Sequence, residues 1–160
     1  MKLSILAVGR MKAGPERELL ERYVKRLAGL APSLGFAPVE WREFDESRAR
    51  APETRRAEEA KILLAAMVKG AHLVALDERG ASPASEPFAR DLAKARDSGA
   101  SALVVVIGGP DGLDGSVRAS AQKIVSFGAM TWPHQLVRVM AAEQLYRAMT
   151  ILAGHPYHRE

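Results

Sequence analysis

Apolar positions along the chain fall into two spacings that alternate from the first residue to the last. Short apolar runs, typical of β-strands, occupy residues 2–8, 38–44, 72–76, 102–107 and 123–126. Between them, apolar residues recur every three or four positions, which predicts helices at 15–29, 52–70, from Pro83 or Pro87 to 99, and 134–151. Alternating strands and helices in a chain of this length predict one α/β domain over residues 1–160, with a parallel sheet flanked by helices.

The run 102–107 is continuously apolar and rich in β-branched residues, as expected of a central strand buried on both faces. Ligand-binding loops of parallel sheets follow the carboxyl ends of strands, so we expect the chemistry after Leu76, Ile107 and Phe127. Gly-Gly-Pro-Asp-Gly at 108–112 lets backbone amides approach a ligand, yet its spacing matches neither the dinucleotide fingerprint nor the phosphate loop. A functional loop and an ordinary strand-to-helix turn both remain open.

The helix predicted at 134–151 carries apolar residues around most of its circumference. Such a helix usually packs against two partners, which here are the sheet and either the rest of the monomer or a second subunit. Arg138 and Arg147 interrupt this apolar surface, and each is either paired with an acidic residue such as Glu143 or functional.

Composition narrows the class of protein. The chain is 48% hydrophobic and 26% charged, as in ordinary globular proteins, and it has no cysteine, which excludes disulfides, thiolate metal ligands and a cysteine nucleophile. The first apolar run is too short for a membrane span and lacks a signal-peptide cleavage site, so we expect a cytoplasmic protein without membrane contact. A net charge of +4 and a pI near 9.6 favour anionic partners without identifying one.

The C-terminal tail, residues 155–160, has an unusual composition for a chain end. It reads His-Pro-Tyr-His-Arg-Glu and offers two general-base candidates, a stacking ring and an anion ligand. The spacing of His155 and His158 is similar to that of metal ligands, but no third ligand accompanies them and we expect no metal. We interpret Tyr157, His158 and Arg159 as functional residues.

Three segments together resemble the RlmH family of ribosomal RNA methyltransferases. They are the loop at 108–112, the pair Pro-His-Gln-Leu-Val-Arg at 133–138 and Glu-Gln-Leu-Tyr-Arg-Ala at 143–148, and the C-terminal tail. The resemblance covers essentially the whole chain and is most specific in its C-terminal part. The chain departs from the family pattern at residues 11–16, so no role is assigned to Arg10 or Lys12.

This resemblance implies a methyltransferase that uses S-adenosylmethionine to methylate N3 of a pseudouridine in 23S ribosomal RNA, in the large subunit or the assembled ribosome. It also implies the fold of the SPOUT superfamily, with a C-terminal trefoil knot and active sites at a homodimer interface. Without the resemblance a knot would not be expected, because threaded chains are very rare in proteins.

The resemblance further assigns site residues. The methyl donor would lie against Leu76, Gly108, Phe127, Gly128, Ala129, Met130, Thr131 and Trp132. We expect Tyr157, His158 and Arg159 at the substrate, with Arg138 binding phosphate or stabilising the developing anion. The group that accepts the proton stays open.

Two other functions are compatible with the residues. One is a ribosome-binding protein without catalysis, which the basic charge would serve equally well. The other is a nucleotide-binding regulator with an unknotted α/β fold. Binding of S-adenosylmethionine would separate the methyltransferase from the first, and tight binding of ATP or NAD would support the second.

Overall fold

Strands and helices alternate along residues 1–159, the part of the chain that the computed structural model describes; Glu160, included above in the C-terminal tail, lies outside the described residues. The strands are β1 (Lys2–Val8), β2 (Val39–Phe44), β3 (His72–Ala81), β4 (Ala102–Ile107) and β5 (Lys123–Val125). The helices are α1 (Pro15–Leu30), α2 (Pro52–Ala65), α3 (Ser85–Asp97), α4 (Gly115–Ser120) and α5 (His134–Leu152), with a 3-10 turn at Ala31–Leu34 after α1.

All five strands within residues 1–159 are parallel and form one sheet in the order β2-β1-β4-β3-β5. The strands β4, β3 and β5 are therefore neighbours, and their carboxyl ends meet at one edge of the sheet. Every residue of β4 is buried, as its continuous apolar run predicts. The predicted α/β class with a parallel sheet flanked by helices is confirmed.

Successive residues of each strand pack into opposite cores because side chains alternate across a sheet. One face is covered by α1, α3 and α5, and its core contains Ile5, Leu27, Leu92, Val105 and Leu145. The other face is covered by α2 and α4, and its core contains Leu6, Leu63, Val104, Val106 and Val117. Helices thus bury both faces of the sheet, as the sequence predicted.

Strand β3 is longer than predicted. We expected the strand to end at Leu76, but it continues past an irregularity and pairs Ala81 with Val125. Gly80 permits this, since a Cβ there would lie 2.6 Å from backbone atoms of Ile124 and Val125. The extension brings the chain after β3 directly beside β5.

One helix boundary and one entire helix also differ from the prediction. Helix α2 ends at Ala65, and Gly70, with φ of 80°, forms the turn into β3 rather than the end of the helix. The short helix α4 was not predicted, because six residues carry too little periodic pattern to be recognised. No helix of residues 1–159 is both long and apolar enough to cross a membrane. The trefoil knot stays a prediction.

Candidate active site

A cavity of about 500 Å³ lies at the carboxyl ends of β3, β4 and β5. Three loops line it, one after each strand, because adjacent parallel strands deliver their loops to the same edge of the sheet. The sequence predicted that the chemistry would follow Leu76, Ile107 and Phe127, and the structure brings these positions together. Of the eight residues predicted to bind the donor, those lining the cavity are Leu76, Gly108, Phe127, Gly128, Met130, Thr131 and Trp132. Ala129 is not among the lining residues, and the binding role of all eight stays a prediction.

The glycine loop, residues 108–113, folds tightly against itself. A Cβ on Gly108 would lie 2.7 Å from the carbonyl carbon of Gly112 and 2.9 Å from the nitrogen of Leu113. The Gly112 amide also donates a hydrogen bond to the Gly109 carbonyl at 2.9 Å. We expected Gly108 to be glycine for the sake of a ligand; in the structure the close approach is between parts of the loop, so glycine is already required without a ligand.

The loop after β5 presents its backbone and two large side chains to the cavity. Ser126 Oγ donates to the Gly128 carbonyl at 3.0 Å and lies 3.2 Å from the Gly128 amide, which donates to it. Gly128 has φ of 114°, and a Cβ there would meet no atom within 4 Å. Met130 and Trp132 are 78% and 42% exposed, so in the single chain neither serves as a core residue.

Charged residues at the cavity were missed by the sequence reasoning. Arg118 lies on α4 and donates to Asp77 Oδ2 at 3.3 Å and to the Leu113 carbonyl. The Asp77 side chain is only 8% exposed, and Arg56 lines the same cavity. The sequence analysis did not single them out, and only the strand order shows that they converge. The cavity wall formed by Arg56, Asp77 and Arg118 therefore carries both positive and negative charge.

His134, the first residue of α5, also lines the cavity. Burial lowers the pKa of its imidazole, and the nearby Arg138 guanidinium lowers it further. Because the ordinary histidine pKa is already near 6.5, the ring is neutral at pH 7.

Arg138 is 4% exposed and holds the end of β1. Its Nη2 donates to the Val8 carbonyl at 2.6 Å and its Nη1 to the Gly9 carbonyl at 2.7 Å. Nη1 also lies 3.3 Å from Glu43 Oε1. The acidic partner is thus Glu43 rather than Glu143, and the expected role of Arg138 at the substrate stays a prediction.

The C-terminal tail packs on α5 and α1. The Tyr157 hydroxyl donates to Glu143 Oε1 at 3.0 Å and lies 3.3 Å from the Tyr23 hydroxyl, and burial raises the pKa of Tyr157. Arg147 stacks over the Tyr157 ring at 4.8 Å and also pairs with Glu143. His158 Nδ1 lies 3.4 Å from Arg147 Nη1, whereas Arg159 is exposed. No residue of the tail up to 159 lines the cavity of its own chain, and the roles predicted for Tyr157, His158 and Arg159 stay predictions.

The residues that carry chemistry do not form a metal site within the described part of the chain. No three His, Asp or Glu side chains of residues 1–159 are grouped closely enough to hold an ion. His155, one of the two histidines with metal-like spacing, instead accepts a hydrogen bond from the Tyr157 amide at 3.1 Å.

Comparison with known proteins identifies the class. Residues 1–158 match the family described as "Predicted SPOUT methyltransferase". Among solved structures, the chain is similar to a probable methyltransferase from Bordetella pertussis, with a TM-score of 0.48, 16% identity, and 92% of this chain and 95% of the other covered. From the family match, the chain belongs to the SPOUT methyltransferases.

Two curated relatives identify the family within that class. The chain is 62% identical to the ribosomal RNA large subunit methyltransferase H of Methylocella silvestris, with 100% of each chain covered. It is 52% identical to the protein of the same name from Brucella anthropi, with 99% of each covered. The chain therefore belongs to the family of ribosomal RNA large subunit methyltransferase H, and the resemblance found in the sequence is confirmed.

Proposed function

We propose that this protein transfers a methyl group from S-adenosylmethionine to N3 of a pseudouridine in large-subunit ribosomal RNA. The observation that carries the proposal is the cavity of about 500 Å³, lined by seven of the eight residues that the family resemblance assigns to the donor. Its volume falls within the range of about 300–1,000 Å³ usual for small-molecule sites. Such a substrate places the reaction in the cytoplasm.

The walls of the cavity suit the chemical parts of this donor. Leu76, Phe127 and Trp132 offer apolar surface for an adenine ring, and the open backbone at Gly128 allows close approach. The donor's amino-acid end carries a carboxylate and an ammonium group, and Arg118 and Asp77 carry the opposite charges. When bound, the donor supplies a methyl group on a positively charged sulfur.

The protein's own part in the reaction is to bind and orient. A pseudouridine N3 must lose its proton and approach the methyl carbon in line, and orientation alone can supply up to ~7–11 kcal/mol of the acceleration. His134 is neutral at pH 7 in the cavity wall, so it adds no positive charge that would oppose binding of a cationic donor.

The active form in this proposal is a homodimer. Met130, Trp132 and Leu136 expose apolar surface beside the cavity, at 78%, 42% and 39% exposure. Because the tail of each chain lies away from its own cavity, we place the tail of a second copy on the nucleotide side of the site. There Tyr157, His158 and Arg159 would meet the substrate, and the C-terminal part of each chain would form the trefoil knot.

Removing the tail tests its role in the proposal. Deleting residues 155–160 should leave the Kd for S-adenosylmethionine within about tenfold, which corresponds to ~1.4 kcal/mol. Single-turnover methylation of ribosomes should fall at least ~10²-fold, the usual effect of losing a catalytic group. The control is Arg90→Met, which removes an exposed arginine paired with Glu86 on α3 and should leave both the Kd and the turnover unchanged. Near-normal turnover by the truncated protein would show that the tail is an ordinary chain end.

The dimer has a separate test. A stable homodimer commonly buries more than ~2,000 Å² in total, so sedimentation at micromolar concentration should give twice the chain mass. Trp132→Asp should shift the protein towards monomer by placing a charge in the interface. A fully active monomeric wild type would contradict the proposal.

A further inference from the structure

The glycine loop is bound by one arginine of α2, Arg55, through the side chain of Asp111. Arg55 Nε donates to Asp111 Oδ2 at 2.6 Å and Arg55 Nη2 donates to Asp111 Oδ1 at 2.9 Å. This is the two-point geometry in which a guanidinium binds a carboxylate most strongly. Both oxygens of the Asp111 carboxylate are therefore directed to the protein's own α2 rather than to a ligand.

The same guanidinium fixes a second segment. Arg55 Nη1 donates to the Ala49 carbonyl at 3.0 Å and to the Arg50 carbonyl at 2.8 Å. The side chains of Arg55 and Asp111 are 26% and 21% exposed, which makes the pair better shielded than a typical surface ion pair. One side chain thus joins the start of α2, the segment before it and the glycine loop.

A buried carboxylate lies beside the loop one helical turn further along α2. Glu59 is 3% exposed and accepts a hydrogen bond from the Ser47 amide at 3.0 Å. Its Oε2 would lie 3.1 Å from a Cβ on Gly109. The loop therefore rests on α2 at two places, with Arg55 making the direct bonds.

We propose that Arg55 is a positioning residue for the methyl-donor site. By binding Asp111, Arg55 fixes the position of the loop that carries Gly108. The inference rests on the proposed function, because it assumes that the donor lies against Gly108. Loop order matters here since a preformed site avoids the cost of ordering a flexible loop on binding. Lysine cannot replace the arginine, because a single ammonium group cannot bind both carboxylate oxygens and two carbonyls in this planar arrangement.

The test measures donor affinity and loop motion in the same variants. Arg55→Met should raise the Kd for S-adenosylmethionine at least ~10-fold by calorimetry, and Arg55→Lys should raise it at least ~3-fold. In the donor-free protein, hydrogen exchange at residues 109–113 should accelerate while the amides of β4 stay protected. The double variant Arg55→Met with Asp111→Asn should bind the donor about as weakly as Arg55→Met alone, because both changes break one interaction.

Two controls keep the outcomes distinct. Arg90→Met removes an exposed arginine paired with Glu86 on α3 and should leave both readouts unchanged. Asp111→Asn keeps the side-chain size and carries the same test if Arg55→Met does not fold. Donor affinity within about twofold of wild type in Arg55→Lys and Asp111→Asn would overturn the inference while leaving the proposed function intact. A wild-type protein that binds no S-adenosylmethionine would overturn both.

Discussion

Replacing Arg138 by methionine should destabilise the protein even in the absence of substrate. The buried guanidinium donates to two backbone carbonyls at the end of β1 and approaches Glu43, whose side chain is 9% exposed. Methionine fills a similar volume but donates no hydrogen bond. The carbonyls of Val8 and Gly9 and the Glu43 carboxylate would then lose a donor in an interior that water barely reaches.

The expected cost follows from these contacts. Leaving one buried acceptor without its donor costs about 1–3 kcal/mol, and removing one partner of a buried ion pair costs about 3–5 kcal/mol. The contributions overlap because all three acceptors share one guanidinium, so we expect a total of about 3–5 kcal/mol. That is a large part of the roughly 5–15 kcal/mol available to a protein of this kind.

Urea unfolding of the donor-free protein measures this effect. Arg138→Met should lower the free energy of unfolding by about 3–5 kcal/mol, and Arg138→Lys should lower it less, because the ammonium keeps the charge. Arg90→Met is the control and should stay within ~0.5 kcal/mol of wild type. A loss below about 1 kcal/mol in Arg138→Met would refute the structural role and leave the predicted role at the substrate as the reason for a buried arginine.

Three further substitutions test the loop, a glycine outside it and the carboxylate of Glu59. Gly108→Ala should raise the Kd for S-adenosylmethionine at least ~10-fold by calorimetry, because its Cβ would lie 2.7 Å from the Gly112 carbonyl carbon and displace the loop. At Gly29 on α1 a Cβ would meet no atom within 4 Å, so Gly29→Ala should instead stabilise the protein by ~0.5–1 kcal/mol. Equal Kd values for S-adenosylmethionine in the two variants would contradict this reasoning. Burial raises the pKa of Glu59, so the ionised carboxylate opposes folding. The stability that the protonated form contributes is fully present below the ordinary pKa of 4.5. It is lost as pH rises through the folded-state pKa. Glu59→Gln should therefore raise Tm at pH 7 and lose this advantage near pH 4, whereas a difference in Tm that is constant with pH would exclude burial of the charge as its cause.

The position of the cavity was predictable because it depends on local pattern and sheet geometry. Apolar runs located the strands, and the rule that ligand loops follow the carboxyl ends of parallel strands then grouped Leu76, Ile107 and Phe127. The same reasoning missed the extension of β3, since Gly80 inside a polar stretch predicts a turn unless the close backbone of β5 is known.

Long-range pairing could not be predicted from one sequence. Arg138 bonds to a carbonyl 130 positions earlier, and Arg55 and Asp111 are 56 positions apart. Neither pair leaves a periodic signal, because hydrophobic periodicity reports only which face of an element is buried. For the tail, composition singled out Tyr157, but only the structure shows that it lies against Glu143 and α5.

Single-turnover methylation separates a methyltransferase from a protein that only binds ribosomes. Large ribosomal subunits and assembled ribosomes lacking the modification would be mixed with excess protein and labelled S-adenosylmethionine, and the labelled nucleotide would be located by mass spectrometry. We predict that label enters the large-subunit RNA at N3 of a pseudouridine, and that Arg55→Met slows the transfer at low donor concentration. Donor or ribosome binding without any methyl transfer would contradict it and would favour a ribosome-binding protein without catalysis.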